Sequence, residues 1–137
     1  VLDGYCSDMT RTFTLNKPDR LFRERLKVVR QAQLAAIKKI RAGVTCREVD
    51  QAARNIIRDA GYGDYFGHAL GHGVGMDVHE EPRLSSMSRK KLREGMVVTV
   101  EPGIYLPEWG GIRLENMVVV RRKKCELLNT DTTFLDL

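Results

Sequence analysis

Six glycines fall between Gly61 and Gly75, interleaved with His68 and His72, and His79 follows shortly after. A stretch this rich in glycine is a poor helix and a poor strand, because glycine loses the most backbone entropy and offers no side chain to pack. It does permit positive φ and close approach of one backbone to another or to a ligand. The chain must therefore find its regular structure on either side of this stretch.

Upstream, Tyr5 to Leu15 is rich in Thr, Phe and Tyr and reads as a strand, preceded by a hairpin-turn signal at Asp3-Gly4. Pro18 then opens a long helix whose apolar positions are Phe22, Leu26, Val29, Ala36, Ile37 and Ile40, with Gly43 as its stop. Thr45 and Glu48 form a capping box for a second helix with the stripe Val49, Ala52, Ala53, Ile56 and Ile57, ending before Gly61. Downstream, Met96 to Val100 is a β-branched run ending at Glu101-Pro102-Gly103. Ile112 to Val120 reads as one further strand, and Cys125 to Leu128 as a short last one. A strand, two helices and then several strands predict an α+β domain with helices on one face of a sheet. A chain of 137 residues is one domain's worth, and starting at Val1 without an initiator methionine it is expected to be a fragment.

Composition removes several classes of function. No apolar run approaches the ~20 residues that span a bilayer, so no membrane partner is expected. Cys6, Cys46 and Cys125 are odd in number and form no Cys-x-x-Cys pair, which fits reduced thiols in a cytoplasmic protein. The net charge of +5 arises partly from Arg89-Lys90-Lys91 and Arg121-Arg122-Lys123-Lys124. Short clusters of this kind read as solvated surface rather than a nucleic-acid site.

Four groups stand out by their setting. Asp8 lies within the first strand, His72 within Gly71-His72-Gly73-Val74-Gly75, Glu101 at the end of an apolar strand, and Glu115 within Gly111-Ile112-Arg113-Leu114-Glu115-Asn116. A carboxylate at the end of a valine-rich strand is costly unless it is paired or binds a metal. Three carboxylates and one imidazole make a hard, oxygen-rich donor set suited to Mn(II), Co(II), Fe(II) or Zn(II). Each group alone has a structural alternative: Asp8 paired with Arg11, Glu115 with Arg113 or Arg121, His72 satisfied in the core.

These motifs, with His79-Glu80-Glu81-Pro82 and Glu101-Pro102-Gly103-Ile104-Tyr105, resemble the pita-bread metallopeptidases, most closely the Xaa-Pro dipeptidase (prolidase) and Xaa-Pro aminopeptidase branch. The resemblance covers essentially the whole chain in order. It implies a curved, mostly antiparallel sheet with helices on one face, and hydrolysis of the peptide bond preceding proline. It implies two divalent ions in the intact enzyme, manganese first and cobalt, zinc or iron as alternatives. Asp8 and Glu115 would bridge them, and His72 and Glu101 would complete one site. The further aspartate of the family lies about eleven residues before Asp8, outside residues 1–137, so one ion or none and little hydrolysis are expected of this sequence. By the same resemblance Glu101 is the general base, His79 steadies the oxygen of the tetrahedral intermediate, His68 lines the substrate pocket and Arg83 holds a dipeptide's carboxylate. A homodimer of the intact protein and a preceding N-terminal domain are expected. The competing readings are a non-catalytic binding module on the same fold and a metal-free creatinase-like hydrolase.

Overall fold

The computed structural model describes residues 1–131. Helix α1 runs from Arg20 to Lys39, and its N-cap is Asp19, whose carboxylate accepts the Phe22 amide. Pro18 thus stands one residue outside the cap, because the Asp19 side chain supplies the acceptor that orphaned first-turn amides need. The helix ends earlier than Gly43 does: Ile40 is already extended, and the amides of Ala42 and Gly43 leave for the carbonyls of Arg121 and Leu92. Gly43 serves the turn, at a φ of 89°.

Helix α2 spans Cys46–Asp59 with the expected capping box, Thr45 bonding the Glu48 amide and Glu48 reaching back to Thr45. Cys46, Val49, Ala53 and Ile57 are buried against α1 and the sheet, and so is Asp50, a polar residue on the same face. Ala52 and Ile56 lie at the margin of this stripe.

Five strands form one antiparallel sheet: β1 (Gly71–Gly73), β2 (Glu80–Leu84), β3 (Val97–Val100), β6 (Asn116–Val120) and β7 (Cys125–Leu127), in the order β2-β1-β3-β6-β7. A separate hairpin pairs β4 (Gly103–Leu106) with β5 (Gly110–Arg113). Successive side chains on a strand point to opposite faces. Val98, Val100, Val118 and Val120 join the helices in the core, whereas Thr99 and Met117, paired across β3 and β6, face the other way.

Three expectations are corrected. Gly71–Gly73 is a strand after all, and the glycines explain how. A methyl group on Gly71 would collide with the Thr99 carbonyl, and one on Gly73 with the Glu81 carbonyl. Only glycine lets β1 lie between β2 and β3 at this spacing. Second, Ile112 to Val120 is not one strand. It is broken at Leu114-Glu115, where the Glu115 amide bonds to the Thr10 carbonyl and not to a sheet neighbour. Third, Tyr5 to Leu15 is extended but forms no ladder. Its attachments alternate with side chains: the Cys6 amide bonds Gly75, the Asp8 amide meets the Met117 sulfur, and the Thr12 hydroxyl bonds Arg113. The turn before it is as expected, with Asp3 and Gly4 at φ of 50° and 85° and Leu2 and Tyr5 bonded both ways at 2.9 Å. The three thiols are unpaired, with Cys46 buried and the other two half-buried.

The clash at β1 sets a measurable expectation. Gly71→Ala and Gly73→Ala should each destabilise the domain by about 1–3 kcal/mol or more in denaturant unfolding. Gly67→Ala, where an added methyl meets nothing within 4 Å, should stay within about 0.5 kcal/mol. Equal effects at all three positions would show that close approach is not what these glycines provide.

Candidate metal centre

The sheet face away from the helices brings Asp8, His72 and Glu115 together, with Glu101 beside His72. His72 sits in the middle of β1, and its Nδ1 lies 3.0 Å from the Gly73 carbonyl. A carbonyl can only accept, so this bond places the ring proton on Nδ1 and turns the lone pair of Nε2 outward. That atom faces Glu101 Oε1 at 3.2 Å and Asp8 Oδ2 at 3.8 Å. Ligand atoms of Asp8, His72 and Glu115 all lie within 4.8 Å of one another. Glu101 joins them through its contact with His72.

Each position follows from local structure. Glu101 ends β3, its amide bonded to the Leu70 carbonyl at 2.8 Å and its carboxylate accepting from Thr99 Oγ1 at 3.2 Å. Thr99 Oγ1 also accepts the His72 amide, so one hydroxyl ties two of the four groups together. Glu115, 2% exposed, is held at the break between β5 and β6 by Thr10, whose hydroxyl donates to its carboxylate. Two of the structural alternatives are not what the chain adopts, whereas Arg113 does lie close enough to Glu115 to favour its charged form. Arg11 donates to the carbonyls of Thr10 and Glu115 and pairs with Asp131 rather than Asp8, and Arg121 pairs with Glu126.

Crowding these carboxylates has an electrostatic cost. Burial, and then the charge of Glu115, push Glu101 up to about 7. Burial raises Glu115 as well, with the Asp8 charge adding to it. An imidazole lone pair facing Glu101 and Asp8, with Glu115 beside it and only the Thr10 and Thr99 hydroxyls donating to the carboxylates, forms an arrangement that a divalent cation satisfies. The His72 Nδ1–H bonded to a backbone carbonyl is also the usual way a metal-binding histidine is oriented. The residues present fit a metal.

Beside the cluster opens a cleft of about 560 Å³ lined by His68, His72, His79, Arg83, Glu101 and Arg113. His79 is exposed and its ring lies 4.3 Å from that of His72. Arg83, also exposed, lines the same cleft. His68 is half-buried, its Nδ1 2.8 Å from the Ala69 carbonyl, and its Nε2 is buried with no protein partner. Burial lowers its pKa, which keeps the ring neutral near pH 7. Of the expected site residues, His68, His72, His79, Arg83 and Glu101 line this cleft, while Asp8 and Glu115 adjoin it only through their cluster with His72. Thr10 and Thr99, which hold the carboxylates, and Tyr105 were not among the expected site residues, and Arg113, expected only as a possible partner of Glu115, is joined to Tyr105 at 3.1 Å beside them. All four lie inside or next to the recognised motifs, where hydroxyls and an arginine beside acidic groups were the available signal.

Antiparallel sheet, helices on one face and an acidic–imidazole cluster on the other define a metallohydrolase-like domain. The chain belongs to metallopeptidase family M24, whose model matches residues 1–122. It is 48% identical over 118 residues to the Xaa-Pro dipeptidase of Pyrococcus horikoshii, an alignment covering 86% of this chain and 34% of that protein. Among solved structures, prolidase from Pyrococcus furiosus superposes with a TM-score of 0.92 at 45% identity, covering 94% of this chain and 39% of the other. Zn-substituted E. coli aminopeptidase P in complex with product gives 0.81 at 28% identity, over 93% and 35% of the two chains. The fold is the expected pita-bread fold, and the chain spans about a third of the length of the curated relatives it matches. Membership of a metallopeptidase family implies divalent metal ions.

The raised carboxyls give a pH expectation with a definite sign. Glu101 has a folded pKa of about 7 against 4.5 when unperturbed, so its contribution to stability is full below about 4.5 and is lost as pH rises through about 7. Metal-free protein should therefore melt at falling temperature across that window. Mn(II), which takes the place of the proton, should flatten the decline. A metal-free melting temperature that rises over the same range would contradict the described electrostatics.

Proposed function

We propose that this chain is the C-terminal catalytic part of a peptidase that hydrolyses the bond preceding proline. The observation that carries the reading is the convergence of the His72 lone pair with the carboxylates of Asp8, Glu101 and Glu115. A non-catalytic relative would have no reason to bear the cost of that crowding, and a metal-free hydrolase would have no use for three carboxylates around an imidazole lone pair. Asp8, His72, Glu101 and Glu115 would hold the ion, manganese being our choice for so oxygen-rich a set. In residues 1–137 these four groups would form one site, and titration with Mn(II) should find at most one tight ion per chain.

A divalent ion there supplies Lewis acidity, which polarises a carbonyl and acidifies water. The chain's own groups do the rest. Glu101, its carboxylate steadied by Thr99, would take the proton of the attacking water and pass it to the leaving amine. His79, exposed beside His72, donates to the oxygen that gains charge as the carbonyl becomes tetrahedral. His68 presents Nε2 as an acceptor to the bound peptide. Arg83 pairs with the carboxylate of a dipeptide, a contact that favours short substrates. Action in the cytoplasm, as a homodimer with a preceding domain, completes the proposal for the intact protein.

Two substitutions in the intact protein test it. Glu101→Gln should keep the metal but reduce hydrolysis of an Xaa-Pro dipeptide by about 10²–10⁴-fold, since an amide coordinates without accepting a proton. Metal analysis beside the assay separates loss of base from loss of ion, and turnover at the wild-type rate would remove Glu101 from the chemistry. Arg83→Ala should raise KM for a dipeptide far more than for its C-terminal amide; equal increases would return Arg83 to the solvent-exposed surface.

A further inference from the structure

Asp50 is fully buried on α2 although it touches neither the metal cluster nor the cleft. Its carboxylate is gripped by Arg54 one turn later, through Nε at 2.8 Å and Nη2 at 2.9 Å. A buried ion pair confers little stability against an apolar pair of the same volume. The position of its remaining bonds points to another use. Arg54 Nη1 donates to the Phe66 carbonyl and Nη2 to the His68 carbonyl, both at 2.9 Å. Asp50 Oδ1 accepts the Leu70 amide at 3.3 Å, and the Leu70 carbonyl in turn accepts the Glu101 amide at 2.8 Å. The pair thus holds the glycine-flanked stretch from Phe66 to Leu70 at three successive even positions. That stretch has little regular structure of its own to fix it.

Ring contacts run the same way. The Arg54 guanidinium lies 4.2 Å from the centre of the Phe66 ring. Phe66 meets His68 edge-on at 5.0 Å, and His68 meets Tyr105 at 5.5 Å. The backbone is held from one side and the imidazole is packed from two.

We propose that the Asp50–Arg54 pair is a positioning device for the cleft, fixing the place and tautomer of His68 from its backbone and the end of β3 from Leu70. Asp50 is fully buried, and Arg54, which borders a second pocket beside His68 and Arg83, has its guanidinium taken up by Asp50 and the two carbonyls, so both act through the loop. The inference rests on the reading of His68 as a substrate-facing group, but its physical content is separable from peptidase activity. Lysine cannot replace the guanidinium here, because a single ammonium cannot bond a carboxylate and two carbonyls in the same fork. Arg54 is 29% exposed, so the lysine head can still reach water.

The chain has three histidines, all in the cleft, so ring ¹⁵N spectra of the histidine-labelled, metal-free 137-residue protein contain three spin systems. In the wild type, His68 should show a single Nδ1–H tautomer. Arg54→Lys should convert it to a mixture of tautomers while His72 and His79 keep their shifts. In the intact protein the same variant should lower kcat/KM on an Xaa-Pro dipeptide by up to about 10²-fold, mainly through KM, with metal content unchanged. Unchanged His68 signals in a folded variant would overturn the proposal, as would equal disturbance of all three rings. Should the variant not fold, the wild type still decides: Arg54 guanidinium protons should exchange slowly with hindered rotation about Nε–Cζ, and a freely rotating guanidinium would refute the device. Absence of peptidase activity in the wild type would count against the proposed function and leave the ring measurements to judge the pair.

Discussion

Between β2 and β3 there is room for a backbone but not for side chains pressed against it. Gly71 and Gly73 fill that space, their α-carbons set against the carbonyls of Thr99 and Glu81. Because side chains alternate on a strand, the residue between them is the one free to project, and it is His72. The glycines place the imidazole in the middle of the sheet face, and β3 then delivers Glu101 beside it. Placing a bulkier residue at either glycine would push β1 away and separate the imidazole from its carboxylates, so packing and chemistry share one constraint.

The two faces of the sheet divide the work. Val98, Val100, Val118 and Val120 are buried with α1 and α2, and this apolar face supplies the burial that stabilises the domain. Thr99 and Met117 occupy the alternate positions and reach the site, one through its hydroxyl and the other through sulfur. A polar link crosses the core as well: Gln33 of α1, fully buried, donates to the Val100 carbonyl and to Asn116, at the ends of β3 and β6 where Glu101 and Glu115 begin their departures from the sheet. Both helices therefore bear on the site through buried polar groups, α1 by Gln33 and α2 by Asp50.

Periodicity and capping chemistry made the helices legible, since Thr45 and Glu48 or the spacing of Leu26 and Val29 are local signals. The metal-cluster residues were legible because carboxylates at apolar strand ends are costly, and their motifs are distinctive. What escaped was decided by distant partners. No local rule says that the Glu115 amide will turn to Thr10, splitting Ile112–Val120 into two strands. The strand at Gly71–Gly73 was hidden because propensity disfavours glycine and only the neighbouring carbonyls explain it. Asp50 was more accessible: it shares a helix face with Val49, Ala53 and Ile57, and an arginine four residues later is its natural partner.

The extended stretch from Tyr5 to Leu15 is fastened to the domain by scattered bonds rather than a ladder, and it carries Asp8. Its outward residues, Met9, Phe13 and Leu15, add little contact. Any cation shared by Asp8 and Glu115 would rivet this stretch to the break between β5 and β6. Binding free energy and docking free energy would then be one quantity, so ion affinity would be set as much by how firmly residues 5–15 lie down as by the ligands themselves.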